Sequence, residues 1–307
     1  MGHGHHHHHH VSQKLTIATI ANIVVVAGEL AIGAWSGSLA LVGDALHNLT
    51  DALALVIALI AVRLEKRAPT SEKSFGYQRA GILAAFINAA MLVAFTFLIF
   101  REAWERLRAP QAVETSLMLV TAAVALLVNG ATALSLRHES RHDVNIRGAF
   151  VHMIGDAVSS FGIIVAALLI RLTGNPLWDA ATSIVIGLLI LWSSYGVLRE
   201  SVNLLLEGTP AGIDPNAVTQ SLGRIEGIYG VHHLHIWALG PSSPSLSCHL
   251  MVGDVPVSST ARLLEEINQM LAHEYRIAHT TIQFEYAMCA EDDPYCVPFR
   301  HGTSGLR

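Results

Sequence analysis

Apolar residues along this chain form long unbroken blocks in the first two-thirds and short alternating runs in the last third. A helix that crosses the hydrocarbon core of a bilayer needs about 20 mostly apolar residues. Six stretches meet that requirement: Leu15–Trp35, Leu39–Val62, Ala80–Phe100, Ser116–Leu136, Gly148–Ile170 and Leu177–Leu198. The breaks between them are short and polar: Ser36-Gly37-Ser38, Arg63 to Arg79, Arg101 to Glu114, Arg137 to Arg147, and Arg171 to Pro176. The first stretch is too long for a secretory signal and runs directly into the second. An even number of crossings is therefore expected to leave both ends on one side. Arg63, Lys66, Arg67, Lys73, Arg79, Arg137, Arg141 and Arg147 lie on the even-numbered loops, against Arg101, Arg106, Arg108 and Arg171 on the odd-numbered ones. The positive-inside rule then predicts that both termini are cytoplasmic.

The pattern changes near Thr209. Asp214-Pro215 is a helix start, a capping carboxylate followed by proline at the first helical position, and the helix is expected to reach about Glu226. Val231–Leu239 and Leu246–Val252 alternate as strands do, separated by the turn-rich Gly240-Pro241-Ser242-Ser243-Pro244. Ser258 or Ser259 is the expected cap of a second helix, with Leu263, Leu264, Ile267, Met270 and Leu271 on one face. Thr280–Tyr286 forms a third alternating strand. The predicted plan is a His-rich arm (1–14), a six-helix transmembrane domain (15–208), and a soluble α+β domain of order αββαβ with a tail (209–307).

Composition agrees with that plan. Of 307 residues, 52% are apolar and 14% charged, where soluble domains carry roughly 45–50% and about 25%. Mean hydropathy is +0.45. A formal charge of −5 leaves no electrostatic footprint for nucleic acid. The three cysteines, Cys248, Cys289 and Cys296, all fall late, so no disulfide framework supports the fold. The histidine run from His3 to His10 reads either as a purification tag or as an arm that delivers metal ions.

Titratable side chains in the middle of a spanning helix are costly and so point to function. The second stretch carries His47-Asn48-Leu49-Thr50-Asp51 and the fifth His152-Met153-Ile154-Gly155-Asp156. In each, the i, i+4 spacing stacks an imidazole and a carboxylate on one helical face. A single such pair is often a packing device or an internal salt bridge; its recurrence in two spans argues against that. Facing one another, the two helices offer two nitrogens and two oxygens, a tetrahedral shell suited to Zn2+. Both ligand types also take protons, so metal and protons compete for one site, which is the physical basis of exchange. Asp44, one turn before His47, is either a partner of that histidine or a first contact for the ion. Asn22, Glu29, Asn88 and Asn129 read as readily as helix-packing residues.

In the soluble part, Leu246, Cys248, Leu250 and Val252 share one strand face, which leaves His249 on the other. Ile282, Phe284 and Tyr286 oppose Gln283 and Glu285; Leu234 and Ile236 oppose His233, His235 and Trp237. His235, His249 and Glu285 thus project from the polar face, with His279 near the start of the third strand. His232 has core parity but stands where the first strand begins, so it can turn either way. Cys289 and Cys296 are either metal ligands in a reducing compartment or uncommitted tail thiols, and Cys248 reads as packing.

With these residues in view, the chain resembles the cation diffusion facilitators, in particular their zinc-transporting branch. The resemblance runs from Leu15 to about Cys296. It rests on Gly43-Asp44-Ala45-Leu46-His47-Asn48-Leu49-Thr50-Asp51, Phe75-Gly76-Tyr77 leading into Arg79 to Asn88, His152 to Asp156, His232-His233-Leu234-His235-Ile236-Trp237, and His279-Thr280-Thr281-Ile282-Gln283. It implies a homodimer that exchanges cytoplasmic zinc for protons by alternating access, with a metallochaperone-like cytoplasmic domain. It implies a transport site at His47, Asp51, His152 and Asp156, and His rather than Asp at the first position favours zinc or cadmium over manganese or iron. In the tail it favours His232, His249 and Glu285 as ligands, with His235 and His279 close by. Some relatives carry a further metal site between spans two and three; here Arg67 to Gln78 holds no histidine or aspartate, so none is expected. The expected function is proton-coupled efflux of Zn2+ and other divalent cations across a bacterial plasma membrane, with Zn2+ also a regulatory ligand that draws two tails together. A non-transporting metal sensor would need only the tail site. An intramembrane zinc enzyme would want an open coordination position and a motif such as His-Glu-x-x-His, which this chain lacks.

Overall fold

A computed structural model describes residues 23–137, 140 and 144–286. The elements, in chain order, are α1 (Ile23–Ser36), α2 (Leu39–Glu65), α3 (Ala80–Arg108), α4 (Thr115–Leu136), α5 (Val144–Thr173), α6 (Leu177–Leu205), α7 (Pro215–Gly223), β1 (Ile228–Gly240), β2 (Ser243–Val252), α8 (Val257–Tyr275) and β3 (His279–Glu285). Helices α2 to α6 are each long and apolar enough to cross a bilayer, and α1, as far as it is described, is a shorter apolar helix. The outer faces carry Leu134, Leu172 and Trp192 in the open, as suits a surface solvated by lipid.

Several helices outrun their apolar stretches. The segment expected to break at Arg101 stays helical to Arg108. Good helix formers continue the turn, and Arg101–Glu105 at 3.2 Å and Arg106–Glu102 at 3.1 Å are i, i+4 pairs along it. Apolarity marks the hydrocarbon slab; the helix ends only where capping and turn chemistry end it.

The described residues form two compact units. One comprises the chain up to Ile57 together with Ile87–Val197; the other comprises Ala58–Phe86 together with the chain from Leu198 onward. In the first, small residues of α4 (Ala122, Ala125, Ala133) are buried, and Met118 and Ala122 pack with Ile163, Ala166, Ala167 and Ile170 of α5 and with Leu41 of α2. Small side chains let backbones approach where no hydrophobic effect drives association. The start of α2 is held across 140 positions of sequence: Asp179 of α6 accepts from Ser38 Oγ (2.7 Å), Leu39 N (2.7 Å) and Ala40 N (3.2 Å). Arg106 Nη1 reaches the same carboxylate at 3.4 Å and donates to the Gly37 carbonyl. A carboxylate from α6 thus does for α2 what an N-cap residue ordinarily does.

In the second unit, α7 and α8 cover one face of a three-stranded sheet of order β1-β2-β3, with β1–β2 antiparallel and β2–β3 parallel, so that α8 is the crossover. Val218, Leu222, Leu234, Ile236, Leu246, Cys248, Leu250, Ile267 and Leu271 make the core. Three expectations are corrected. Helix α7 ends at Gly223, short of Glu226, because its last turns tighten into Arg224 N–Ser221 O and Ile225 N–Leu222 O bonds ahead of Gly227 at φ 94°. Helix α8 is opened by Pro256, whose carbonyl accepts from Ser259 N at 2.8 Å; Ser258 and Ser259 lie inside the first turn, and no side chain caps it. The strands run into the expected turn, so that Ala238 pairs with Pro244 and Gly240 with Ser243. The loop after α2 belongs to this unit: Arg79 bridges to Glu207 at 3.0 Å, and Phe75 meets the His279 ring edge-on at 5.6 Å.

Candidate metal centre

Helices α2 and α5 bring the two His-x-x-x-Asp motifs together. His47 Nε2 and His152 Nε2 each lie 3.6 Å from Asp51 Oδ2, and His152 Nε2 lies 3.6 Å from Asp156 Oδ2. One donor atom each from His47, His152 and Asp156 falls within 4.8 Å of the others. These separations are too long for hydrogen bonds. They match the ligand–ligand edges of a tetrahedron with bonds near 2.0–2.2 Å, about 3.3–3.6 Å. Asp156 is buried and its Oδ2 has no hydrogen-bond partner among the described residues; the same holds for His47 Nδ1. The imidazoles stand edge-on with centroids 6.1 Å apart, too far for a stack. An array of bases and acids that do not bond one another is one that a cation completes.

The second cluster is on the polar face of the sheet. His232 and His249 are register partners on β1 and β2, and Glu285 of β3 reaches both. His232 Nε2 lies 2.9 Å from Glu285 Oε2 in a hydrogen bond, and His249 Nδ1 lies 3.0 Å from Glu285 Oε1. His232, which by parity and position can turn either way, is set on the polar face by a bulge between His232 and His235, where His233 has φ 50°. The extra residue shifts the positions from Gly230 to His232 to the opposite face. The bulge also lays His233 flat on His249, centroids 4.6 Å apart, a contact that alternation alone conceals. Gln283 Nε2 donates to Glu285 Oε1 at 2.6 Å.

Not every expected residue joins. His235 is exposed and pairs with Ser247, and His279 pairs with Ser245. The latter lies four residues, about 13 Å, along the sheet from His249. Strand parity selects a face but not a position along it. Cys289 and Cys296, like the His3–His10 run and Asn22, lie outside the described residues. Cys248 is in the core, where burial pushes its thiol up to about 12, so it stays protonated and is no metal ligand.

The electrostatics of the sheet cluster suit a metal. Burial holds the His249 imidazole below its ordinary value, and His233 and His232 add to that, while Glu285 opposes them. Burial pushes the Glu285 carboxyl up, but hydrogen bonds from His232 and Gln283 and the nearby imidazoles outweigh it, and the net direction is down. A neutral imidazole and an ionised carboxylate are the forms that bind a cation.

Two family descriptions match, the cation efflux transmembrane domain over residues 15–206 and the cation efflux protein cytoplasmic domain over residues 210–287. The chain belongs to the cation efflux family. Among curated relatives, the zinc transporter ZitB of Escherichia coli is 41% identical over 279 residues, covering 90% of this chain and 87% of its own. The metal cation efflux system protein CzcD of Cupriavidus metallidurans is 37% identical over 292 residues, covering 95% and 92%. The cadmium, cobalt and zinc/H(+)-K(+) antiporter of Bacillus subtilis is 37% identical over 292 residues, covering 93% and 92%. This cation efflux protein is accordingly an integral membrane transporter and not an enzyme.

Proposed function

We propose that this cation efflux protein exports Zn2+ from the cytoplasm in exchange for protons, as a homodimer that alternates access to one intramembrane site. The observation that carries the reading is the convergence of these side chains: three His–Asp contacts at 3.6 Å link His47, Asp51, His152 and Asp156, and one donor each of His47, His152 and Asp156 lies within 4.8 Å of the others. Two nitrogens and two oxygens complement zinc without the thiolates that would hold it tightly, and each donor can take a proton when the metal leaves. The names of the relatives support the same cargo and counter-ion. The bias of basic residues supports cytoplasmic termini, and the bacterial relatives support a plasma membrane location. Cadmium and cobalt fall within the same ligand chemistry.

In the tail, His232, His249 and Glu285 are proposed to bind cytoplasmic zinc and to bias the dimer toward transport when metal is abundant. That requires the metal to bind one arrangement of the dimer more tightly than the other.

The test is flux in reconstituted vesicles. Zinc movement should drive opposing proton movement in the wild type, and Asp51→Ala and Asp156→Ala should abolish both. Zinc flux that survives in both variants removes these residues from the path, and zinc flux without proton movement removes the exchange.

A further inference from the structure

The donors of the transport site continue beyond it. On α2, Asp44, His47 and Asp51 fall at i, i+3 and i+7, one stripe of the helix. On α5, His152, Asp156 and Ser159 fall at i, i+4 and i+7. The two stripes make a ladder whose Asp51–His152 end is cytoplasmic, in the topology proposed above, and whose Asp44–Ser159 end points to the far side. At that far end Ser159 stands beside Asp44, and Glu29 of α1 faces both Asp44 and Asn48.

These groups are sealed from solvent. Glu29 and Asp44 are 0% exposed and Asn48 is 1% exposed. Their contacts fall short of hydrogen-bond geometry: both oxygens of Glu29, both of Asp44, and both amide atoms of Asn48 have no hydrogen-bond partner among the described residues. Asp156, the deepest carboxylate of the transport cluster, is within electrostatic reach of Glu29 and of Asp44. Two buried carboxylates side by side, with the Asn48 amide beside them, are strongly unfavourable as anions unless they hold a proton or a cation stands between them.

We propose that Glu29, Asp44 and Asn48 form a second cation site, a release station that the transported divalent ion occupies after leaving the histidines. The proposal rests on the transporter reading above. All its donors are oxygens. Zinc is borderline-soft and prefers nitrogen or sulfur alongside oxygen, so an all-oxygen shell holds it less tightly than the His/Asp shell. Once ionised, its two carboxylates still draw the ion one turn outward. A descending affinity along the ladder is what release to the far side needs.

The proposal is tested with full-length protein in vesicles by adding Zn2+ on the release side and measuring inhibition of zinc transport. In Glu29→Gln and Asp44→Asn the concentration for half-inhibition should rise about tenfold, while half-saturation from the cytoplasmic side should move less than about threefold. Unchanged release-side inhibition in both variants overturns the proposal. So does a change confined to the number of protons moved per zinc, which would make the occupant a proton. A second measurement is independent of flux. 113Cd NMR of the wild type should show an all-oxygen cadmium resonance that Asp44→Asn removes while the nitrogen-ligated resonances remain. Those surviving resonances also show that the variant is folded. Absence of the all-oxygen resonance from the wild type overturns the proposal. Vesicles of wild type that carry no zinc at all would instead sink the transporter reading, and the cadmium resonance would still report on the site.

Discussion

The intramembrane and sheet clusters use the same residue types and hold them in opposite ways. Between α2 and α5 the carboxylates and imidazoles stand 3.6 Å apart, and the inner atoms lack partners. On the sheet, Glu285 is already engaged at 2.9 Å by His232 and at 2.6 Å by Gln283, and His233 stacks on His249. Internal hydrogen bonds engage Glu285 before any ion arrives, although His249 Nδ1 has no hydrogen-bond partner among the described residues, so a metal must displace those bonds and gains less by binding. The intramembrane cluster has nothing to displace. Its separations are fixed by two packed helices, one of them tied at its start by Asp179, and the metal-free state bears the strain of unpaired polar groups. Readiness for an ion is thus a matter of which bonds are withheld, more than of which ligands are present.

The sharpest break of this comparison is Asp156→Ala, which should cut zinc flux at least about 100-fold, since even groups behind a metal ligand are worth 10–100-fold. His249→Ala should leave flux at saturating zinc within the same order of magnitude. Vesicle transport under matched protein loading checks both, and equal losses would erase the distinction between the clusters. Next, Asp179→Ala removes the bonds that hold the start of α2 and should destabilise the solubilised protein by about 2 kcal/mol, read by denaturant titration. Tail zinc affinity, measured calorimetrically, should be unchanged in that variant. Smaller again, Glu285→Gln should weaken zinc binding by the tail about tenfold while leaving the α2–α5 cadmium signal in place.

The smallest effect concerns protons. Burial keeps the metal-free His249 imidazole below the ordinary 6.5, against the pull of Glu285. Because the Glu285 carboxylate stabilises the imidazolium, Glu285→Gln should carry His249 lower still. NMR titration of the imidazole in metal-free protein measures this, and an upward shift would mean that Glu285 does not act on His249 as a charge.

The helices could be read from the chain because lipid demands long uninterrupted apolarity, and the placing of each His/Asp pair on one helical face followed from i, i+4 spacing, which is a local property. What could not be read depended on partners distant in sequence or on one-residue irregularities. Nothing near Ser38 announces that Asp179 will cap α2. The alternation of β1 hides the bulge at His233, so parity alone leaves His232 free to turn either way, whereas it shares the polar face with His249. His235 and His279 have the polar-face side chain expected of them but stand at other rows of the sheet. Parity carries no information about register, which is set by pairing with β2. Pro256 opens α8 through its fixed φ of −63°, a backbone effect that outweighed the hydroxyls of Ser258 and Ser259.

Neither α2 nor α5 contains a proline, and both run unbroken through the cluster, for 27 and 30 residues. Every donor at the proposed transport site is therefore a side chain, with no unwound peptide carbonyl among them. If the proposed site is the one the ion crosses, cargo choice rests on its side chains and not on the trace of the main chain. A lineage can re-tune which metal it expels by exchanging one imidazole for a carboxylate, without having to reinvent the scaffold that carries it.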